Sequence, residues 1–396
     1  MLQFNGSSFQ KNKGGDLKMY TEEHQMFRKA LRKMLEKEAY PYFEQWEKDR
    51  DIPRDFWLKL GENGFLCPMV SEEYGGLGLD FGYSAILTEE LERVGAGLAS
   101  GIALHSDIVT PYIEAYGTDV QKEKWLPKSV TGEMISAIAM TEPGAGSDLA
   151  GIQTTARREG DVYILNGEKT FITNGIHADY VVVVCKTNPK AMPAYKGVSL
   201  IVVETGTPGF KRGKKLDKIG MHSADTGELI FEDAQVPVEN LLGEENRGFY
   251  YLMEKLQQER LIVALETQIE AECSLELTVN YVKERKAFGS RIADFQNTQF
   301  KLAEMATEVE LGRTYVDSLI EKHIANKDIV KEVSMAKWWI SEMAKRVVAE
   351  CLQLHGGYGY MEEYEIARRY RDIPVAAIYA GTTEIMKGII AKQILK

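Results

Sequence analysis

The residues best placed to do chemistry crowd into AMTEPGAGSDLAG (139–151), directly after the apolar ISAIAM. Gly144 and Gly146 free the backbone to approach a ligand closely. Thr141 and Ser147 add hydroxyls beside amides that could cradle a phosphate. No GK[ST] follows, so this is no Walker loop, and GAGSD is not the GxGxxG dinucleotide fingerprint. Spacing alone reads first as a glycine-rich turn between strands. A second stretch, NGEKTFITNG (166–175), alternates so that Phe171 and Thr173 share one face of a strand. That face offers an aromatic wall and a hydroxyl to a planar cofactor, or equally is a half-buried strand with one Thr toward solvent.

At 396 residues the chain is long enough for two or three cores. Its 44% hydrophobic and 27% charged content is that of a soluble globular protein and excludes a disordered or fibrous one. A net charge of −11 with no basic cluster argues against nucleic acid. The one basic run, FKRGKKLDK (210–218), lies between strand-like segments and reads as a solvated loop. The longest apolar runs, VVVVC (181–185) and VSLIVVE (198–204), have strand length, so no membrane span is expected. The opening MLQFNGSSFQKNKGG lacks an apolar h-region and reads as a loose tail over 1–17. Cys67, Cys185, Cys273 and Cys351 are far apart, with no CxxC and no His at ligand spacing. Neither a metal site nor a disulfide framework is expected, and a reducing cytoplasm fits.

The elements that must position these residues change texture twice. Residues 18–132 carry apolar positions at three- and four-residue spacing, as in 22–38 and 83–97, punctuated by Pro41, Pro53 and the glycines of 75–82. Over 133–243 the chain turns to short β-branched runs, with EGD (159–161) as a hairpin signal. Over 244–396 long helical periods return, notably 302–327 and 333–357. Strands segregated from helices predict an α+β fold rather than a doubly wound sheet.

These stretches together resemble the acyl-CoA dehydrogenase family. The resemblance rests on MTEPGAGSD followed by Gly151, and on QLHGGYGYMEEYEIARRYRD (353–372). Between and beyond them lie DTGELIFEDAQVP (225–237), LLGEENRGF (241–249), ERKAFG (284–289) and IYAGTTEI (378–385). It covers nearly everything from 18 onward. Within the family, KIGMH (218–222), ENRGFYYLME (245–254) and QQERL (257–261) look most like the long-chain branch.

The resemblance implies an N-terminal helical domain, a small β-barrel-like middle domain and a C-terminal four-helix bundle, with FAD as cofactor. It places Met140, Thr141, Phe171 and Thr173 at the flavin, Phe171 standing where the family often has Trp. Ser147 falls where the cofactor pyrophosphate and the CoA arm meet. Arg285, Phe295, Gln296, Gln353, Gly356 and Gly357 match positions that reach a neighbouring subunit's FAD, which implies a homodimer, usually paired into a tetramer. Thr382, Thr383 and Glu384 match the segment beside the cofactor.

The implied reaction removes an α-proton from an acyl thioester while the flavin takes the β-hydride. It needs a carboxylate base in a dry pocket. Most family members carry that Glu where this chain has Ala380, in IYAGTTE. Isovaleryl-type and long-chain relatives instead carry it on a helix, immediately before an Arg, as Glu259–Arg260 stand here in QQERL. Glu259 is therefore the expected base, with Glu384 a weaker candidate and Glu142 structural. Arg260, Ala380 and Gly381 are expected beside the substrate. Ala99 and Ala103, four residues apart on one helix face, leave a deep apolar slot or are plain helix packing. Long or branched acyl-CoA substrates are expected, with electrons passed to an electron-transfer flavoprotein. A short branched-chain, isovaleryl-type dehydrogenase, an acyl-CoA oxidase, which is usually longer, and a non-catalytic FAD- and CoA-binding protein are the competing readings.

Overall fold

Thr21 starts the first helix by accepting from the His24 amide, while the His24 ring accepts from the Thr21 amide, so two otherwise orphaned donors are satisfied. The computed structural model describes residues 20–396, and the tail expected at 1–17 lies outside the described residues. Helices α1 (Glu22–Glu38), α2 (Phe43–Asp49), α3 (Arg54–Glu62), α4 (Phe81–Val94), α5 (Ala96–Ala103), α6 (Thr110–Tyr116) and α7 (Asp119–Val130) form the first layer. The periodic run at 83–97 is not one helix. Gly95 divides it because the Phe43 ring packs there: a β-carbon at Gly95 would lie 2.2 Å from Phe43 Cζ. Between α5 and α6, Leu104–Val109 widens into a π-turn, a feature that recurs at functional sites.

Strands β1 (Ser136–Ala139), β2 (Thr155–Glu159), β3 (Val162–Thr173), β4 (Tyr180–Lys186), β5 (Val198–Glu204), β6 (Phe210–Lys215), β7 (Thr226–Pro237) and β8 (Leu241–Leu242) form one sheet. Its order is β6-β7-β3-β2-β4-β5-β8, with β1 parallel to β4. The EGD signal is the β2–β3 hairpin, Glu159 opposite Val162 across Gly160. The basic run is not a loop. Phe210–Lys215 pairs with β7 as an edge strand whose lysines and arginine stay in water, charges that keep an open sheet edge from recruiting another strand. The β3–β7 register shifts between Lys169 and Ile172, and Phe171 there adopts a left-handed φ of 59°.

The third unit is built on α8 (Gly248–Glu284), 37 residues long, packed with α9 (Gln296–Ile324), α10 (Val330–His355) and α12 (Thr383–Ile394). Helix α11 (Glu365–Asp372) brings Arg369 onto Glu270 of α8 at 2.6 Å, both side chains buried. No helix among the described residues is long and apolar enough to cross a membrane.

One ion pair fixes the glycine loop to the sheet. Lys169 of β3 donates to Glu142 Oε1 at 2.8 Å and to the Met140 carbonyl at 2.9 Å. Glu142 also accepts from the amides of Gln153 at 2.5 Å and Thr154 at 3.0 Å. Burial alone would raise this carboxyl, but Lys169 and the hydrogen bonds outweigh it and hold it below its usual range. The turn itself closes through paired Glu142 and Ala145 amides and carbonyls. Glu142 is thus structural. Lys169→Met should cost about 3–5 kcal/mol by stranding a buried carboxylate. Thermal or denaturant unfolding should show the loss, with partial recovery in Lys169→Met/Glu142→Gln.

Candidate active site

Glu259 lies on the face of α8 turned toward α6 and is 5% exposed. Tyr112, wholly buried, donates its hydroxyl to Glu259 Oε1 at 2.7 Å. Burial drives the carboxyl up to about 7, against the Tyr112 hydrogen bond and the charges of Arg260 and Lys255, which pull it down. A carboxylate in this state holds or releases a proton near neutrality, the range in which a general base is most effective.

Ala380 and Gly381 form a left-handed turn, φ 51° and 100°, leading into α12. A β-carbon at Gly381 would stand 2.6 Å from Met386 Cε and 4.0 Å from Arg260 Nη2, so Arg260 borders this turn. Lys337 of α10, wholly buried, donates to the Gly381 carbonyl at 2.6 Å. Burial, with the charge of Arg260 adding to it, lowers the Lys337 ammonium to about 8. Two cations therefore flank a turn whose Ala380 and Gly381 amides find no acceptor among the described residues. Thr382 caps α12 by accepting from the Ile385 amide, and Thr383 donates to Glu342 at 2.9 Å. Glu384 is exposed, and its own amide and Thr382 hold its carboxyl below the usual range. That is the wrong direction for a base.

On the sheet side, the Thr170 amide donates to the Thr141 carbonyl at 3.0 Å, which sets Met140 and Thr141 against Phe171 and Thr173. Phe171 is 67% exposed, a bare aromatic ring on the sheet surface. Thr141 and Thr173 are half-buried, and Ser147 is exposed. A β-carbon at Gly144 would meet nothing within 4 Å, so the loop faces open space. An exposed ring, flanking hydroxyls and an open glycine turn fit an isoalloxazine and its pyrophosphate. Asn174, just past β3, donates to the Gly101 carbonyl of α5 at 2.8 Å and so ties this surface to the helices around Glu259.

The remaining sequence-predicted residues gather elsewhere. Arg285 lies over the Tyr358 ring at 5.0 Å, and Tyr281 stacks on His355. Gln296, Gln353, Gly356 and Gly357 are exposed and Phe295 is half-buried. Arg285 caps α8 twenty-six residues, about 39 Å, from Glu259. Arg285 and its neighbours therefore stand at the far end of α8 from Glu259.

Ala99 and Ala103 are both buried, each packed into a different core. Ala99 joins the core of the first helical layer. Ala103 joins the core that holds Phe81, Ala85, Leu261 and Leu265. Position Ala96 instead borders a cavity against α8. Its walls mix carboxyl groups, Glu92, Glu266, Glu270 and Asp372, with apolar side chains such as Met221, Ile373 and Val375, and the buried acids were not anticipated from the sequence. Tyr112 and Lys337 were also missed. Tyr112 stands 147 residues from its partner, and a lysine in a helical period reads as a surface charge. Among the described residues no group of three His, Cys, Asp or Glu could hold a metal ion.

Residues 21–133, 137–234 and 246–395 match the N-terminal, middle and C-terminal domains of acyl-CoA dehydrogenase. The chain is 48% identical over 381 residues to the mitochondrial long-chain specific acyl-CoA dehydrogenase of Rattus norvegicus, covering 96% of this chain and 88% of that protein. It is 36% identical to the mitochondrial isovaleryl-CoA dehydrogenase of Arabidopsis thaliana, covering 96% and 92%. The crystal structure of an acyl-CoA dehydrogenase from Geobacillus kaustophilus superposes with a TM-score of 0.94 at 68% identity, covering 95% of this chain and 98% of that one. The chain belongs to the acyl-CoA dehydrogenase family, FAD-dependent oxidoreductases.

The Tyr112 hydrogen bond favours the charged form of Glu259, so removing it must raise that carboxyl further. In Tyr112→Phe the ascending limb of kcat/KM against pH should move to more alkaline pH. An unmoved limb would show that Tyr112 does not bear on the titrating group.

Proposed function

We propose that Glu259 is the base that takes the α-proton of a long-chain or branched acyl-CoA. The single observation that carries this is a carboxyl only 5% exposed, raised to about 7 and held by one hydroxyl. A buried carboxylate without a cationic partner at contact distance is unstable enough to accept a weakly acidic proton. Proton removal leaves negative charge on the thioester oxygen, and such charge is best met by donors fixed in advance. The unpaired Ala380 and Gly381 amides, with Arg260 and Lys337 on either side, supply donors and positive charge beside the base. The small side chain at Ala380 leaves room for the base to act from α8, and for a branch near the α-carbon.

Met140, Thr141, Phe171, Thr173 and Ser147 would hold FAD, which supplies the oxidant for the β-hydride. Thr382, Thr383 and Glu384 border it from α12, Glu384 acting on cofactor binding rather than on the proton. Arg285, Phe295, Gln296, Gln353, Gly356 and Gly357 serve the partner's cofactor in a homodimer or a tetramer of two dimers. The 39 Å span along α8 between Arg285 and Glu259 supports this. Electrons then leave to an electron-transfer flavoprotein, in the cytoplasm. Similarity to a long-chain specific enzyme over 96% of the chain supports the substrate length.

Glu259→Gln should slow anaerobic bleaching of the flavin by palmitoyl-CoA by about 10²–10⁴-fold, the usual worth of one general base. It should bind FAD and acyl-CoA as before. Glu384→Gln should leave the bleaching rate of fully loaded enzyme nearly unchanged. The reverse pattern would overturn the assignment.

A further inference from the structure

Glu259, Glu266 and Glu270 stand at i, i+7 and i+11 on α8, which at 100° per residue puts all three within about 20° of one line. Glu266 lies two turns, about 10.5 Å, from the base, and Glu270 about 16.5 Å. All three are 5% exposed or less.

The stripe leads to a cavity where Glu92, Glu266, Glu270, Asp372 and Tyr379 face an apolar wall formed by Met221 and the 373–376 turn. Its free space, about 20 Å³, holds roughly one water-sized group. Tyr379 directly precedes the Ala380–Gly381 turn, so one wall of the cavity continues into the site. The carboxylates there are only half satisfied. Tyr379 donates to Glu266 Oε2 at 3.2 Å and Arg369 to Glu270 Oε2 at 2.6 Å. Glu266 Oε1 and Glu270 Oε1 have no partner.

A pocket ending in a plain methyl group would leave these acceptors stranded, at a cost of about 1–3 kcal/mol each. A hydroxyl can donate to one of these oxygens and accept from a protonated Glu266, an ammonium can donate to both, and either fills the space. Metal is a poor occupant, since no carboxylate group among the described residues is arranged to hold one.

We propose that the acyl pocket ends in this polar seat, and that the protein acts on acyl-CoA thioesters whose far end carries a small hydrogen-bond donor, a hydroxyl or an ammonium. This rests on the reading that Glu259 is the base, because the stripe is measured from it. The acyl chain runs along α8 from Glu259 and delivers its terminal group to Glu266 and Glu270.

The test compares octanoyl-, decanoyl- and dodecanoyl-CoA with their ω-hydroxy and ω-amino counterparts, on the full FAD-loaded protein. Binding is read by calorimetry on Glu259→Gln, and turnover by anaerobic flavin bleaching in the unmutated protein. At one length an ω-substituted chain should bind about ten-fold tighter than the plain one, the worth of one buried hydrogen bond. Whichever of hydroxyl and ammonium gains more identifies the donor. Glu266→Leu should reverse the preference toward the plain chain. If that variant does not fold, the comparison on Glu259→Gln decides alone. Equal or tighter binding of the plain chain at every length would overturn the polar seat while leaving the base intact. Failure of every acyl-CoA to bleach the flavin would instead overturn the reading of Glu259.

Discussion

A carboxyl group denied water governs this structure. Glu259 sits in an interior where its charge is costly, and the surroundings compensate it only in part. One tyrosine hydroxyl and the field of two nearby cations pull its proton affinity down, and burial wins. The rest of the fold serves that imbalance. The π-turn and α6 deliver Tyr112, α8 delivers the carboxyl, and Arg260 beside it borders the Ala380–Gly381 turn that Lys337 of α10 holds.

The other interior carboxylates show how deliberate the difference is. Glu142 receives an ammonium and two amides and becomes a fixed anion that anchors a loop. Glu270 receives the Arg369 guanidinium and joins α11 to α8. Glu266 receives only a tyrosine hydroxyl and is raised to about 8 by burial. The same side chain is thus a fixed anion or a carboxyl of raised proton affinity according to how many donors face it.

Periodicity in the sequence was enough to reveal the helical, β and helical succession, because each unit buries a continuous apolar face. The β2–β3 hairpin was legible from EGD, since a glycine with positive φ marks the turn. Phe210–Lys215 was not, because an edge strand keeps its charges in water and loses the alternation that marks buried strands. In the site, Glu259 stood out only against the family pattern, through the missing carboxylate at Ala380. Tyr112 left no local trace, its hydrogen bond spanning 147 residues. The Glu259–Glu266–Glu270 stripe was visible as spacing, yet its burial was not, because glutamates on a helix ordinarily face solvent.

The proposed role of Glu259 depends on the proton affinity of its carboxyl. Infrared difference spectra between the unmutated protein and Glu259→Gln, collected across pH, isolate the carbonyl stretch of that single protonated side chain. A band that disappears with a midpoint near 7, and moves to higher pH in Tyr112→Phe, is the expected result. A midpoint near the ordinary glutamate value of about 4.3 would mean a solvated, ordinary carboxylate, and would contradict that role.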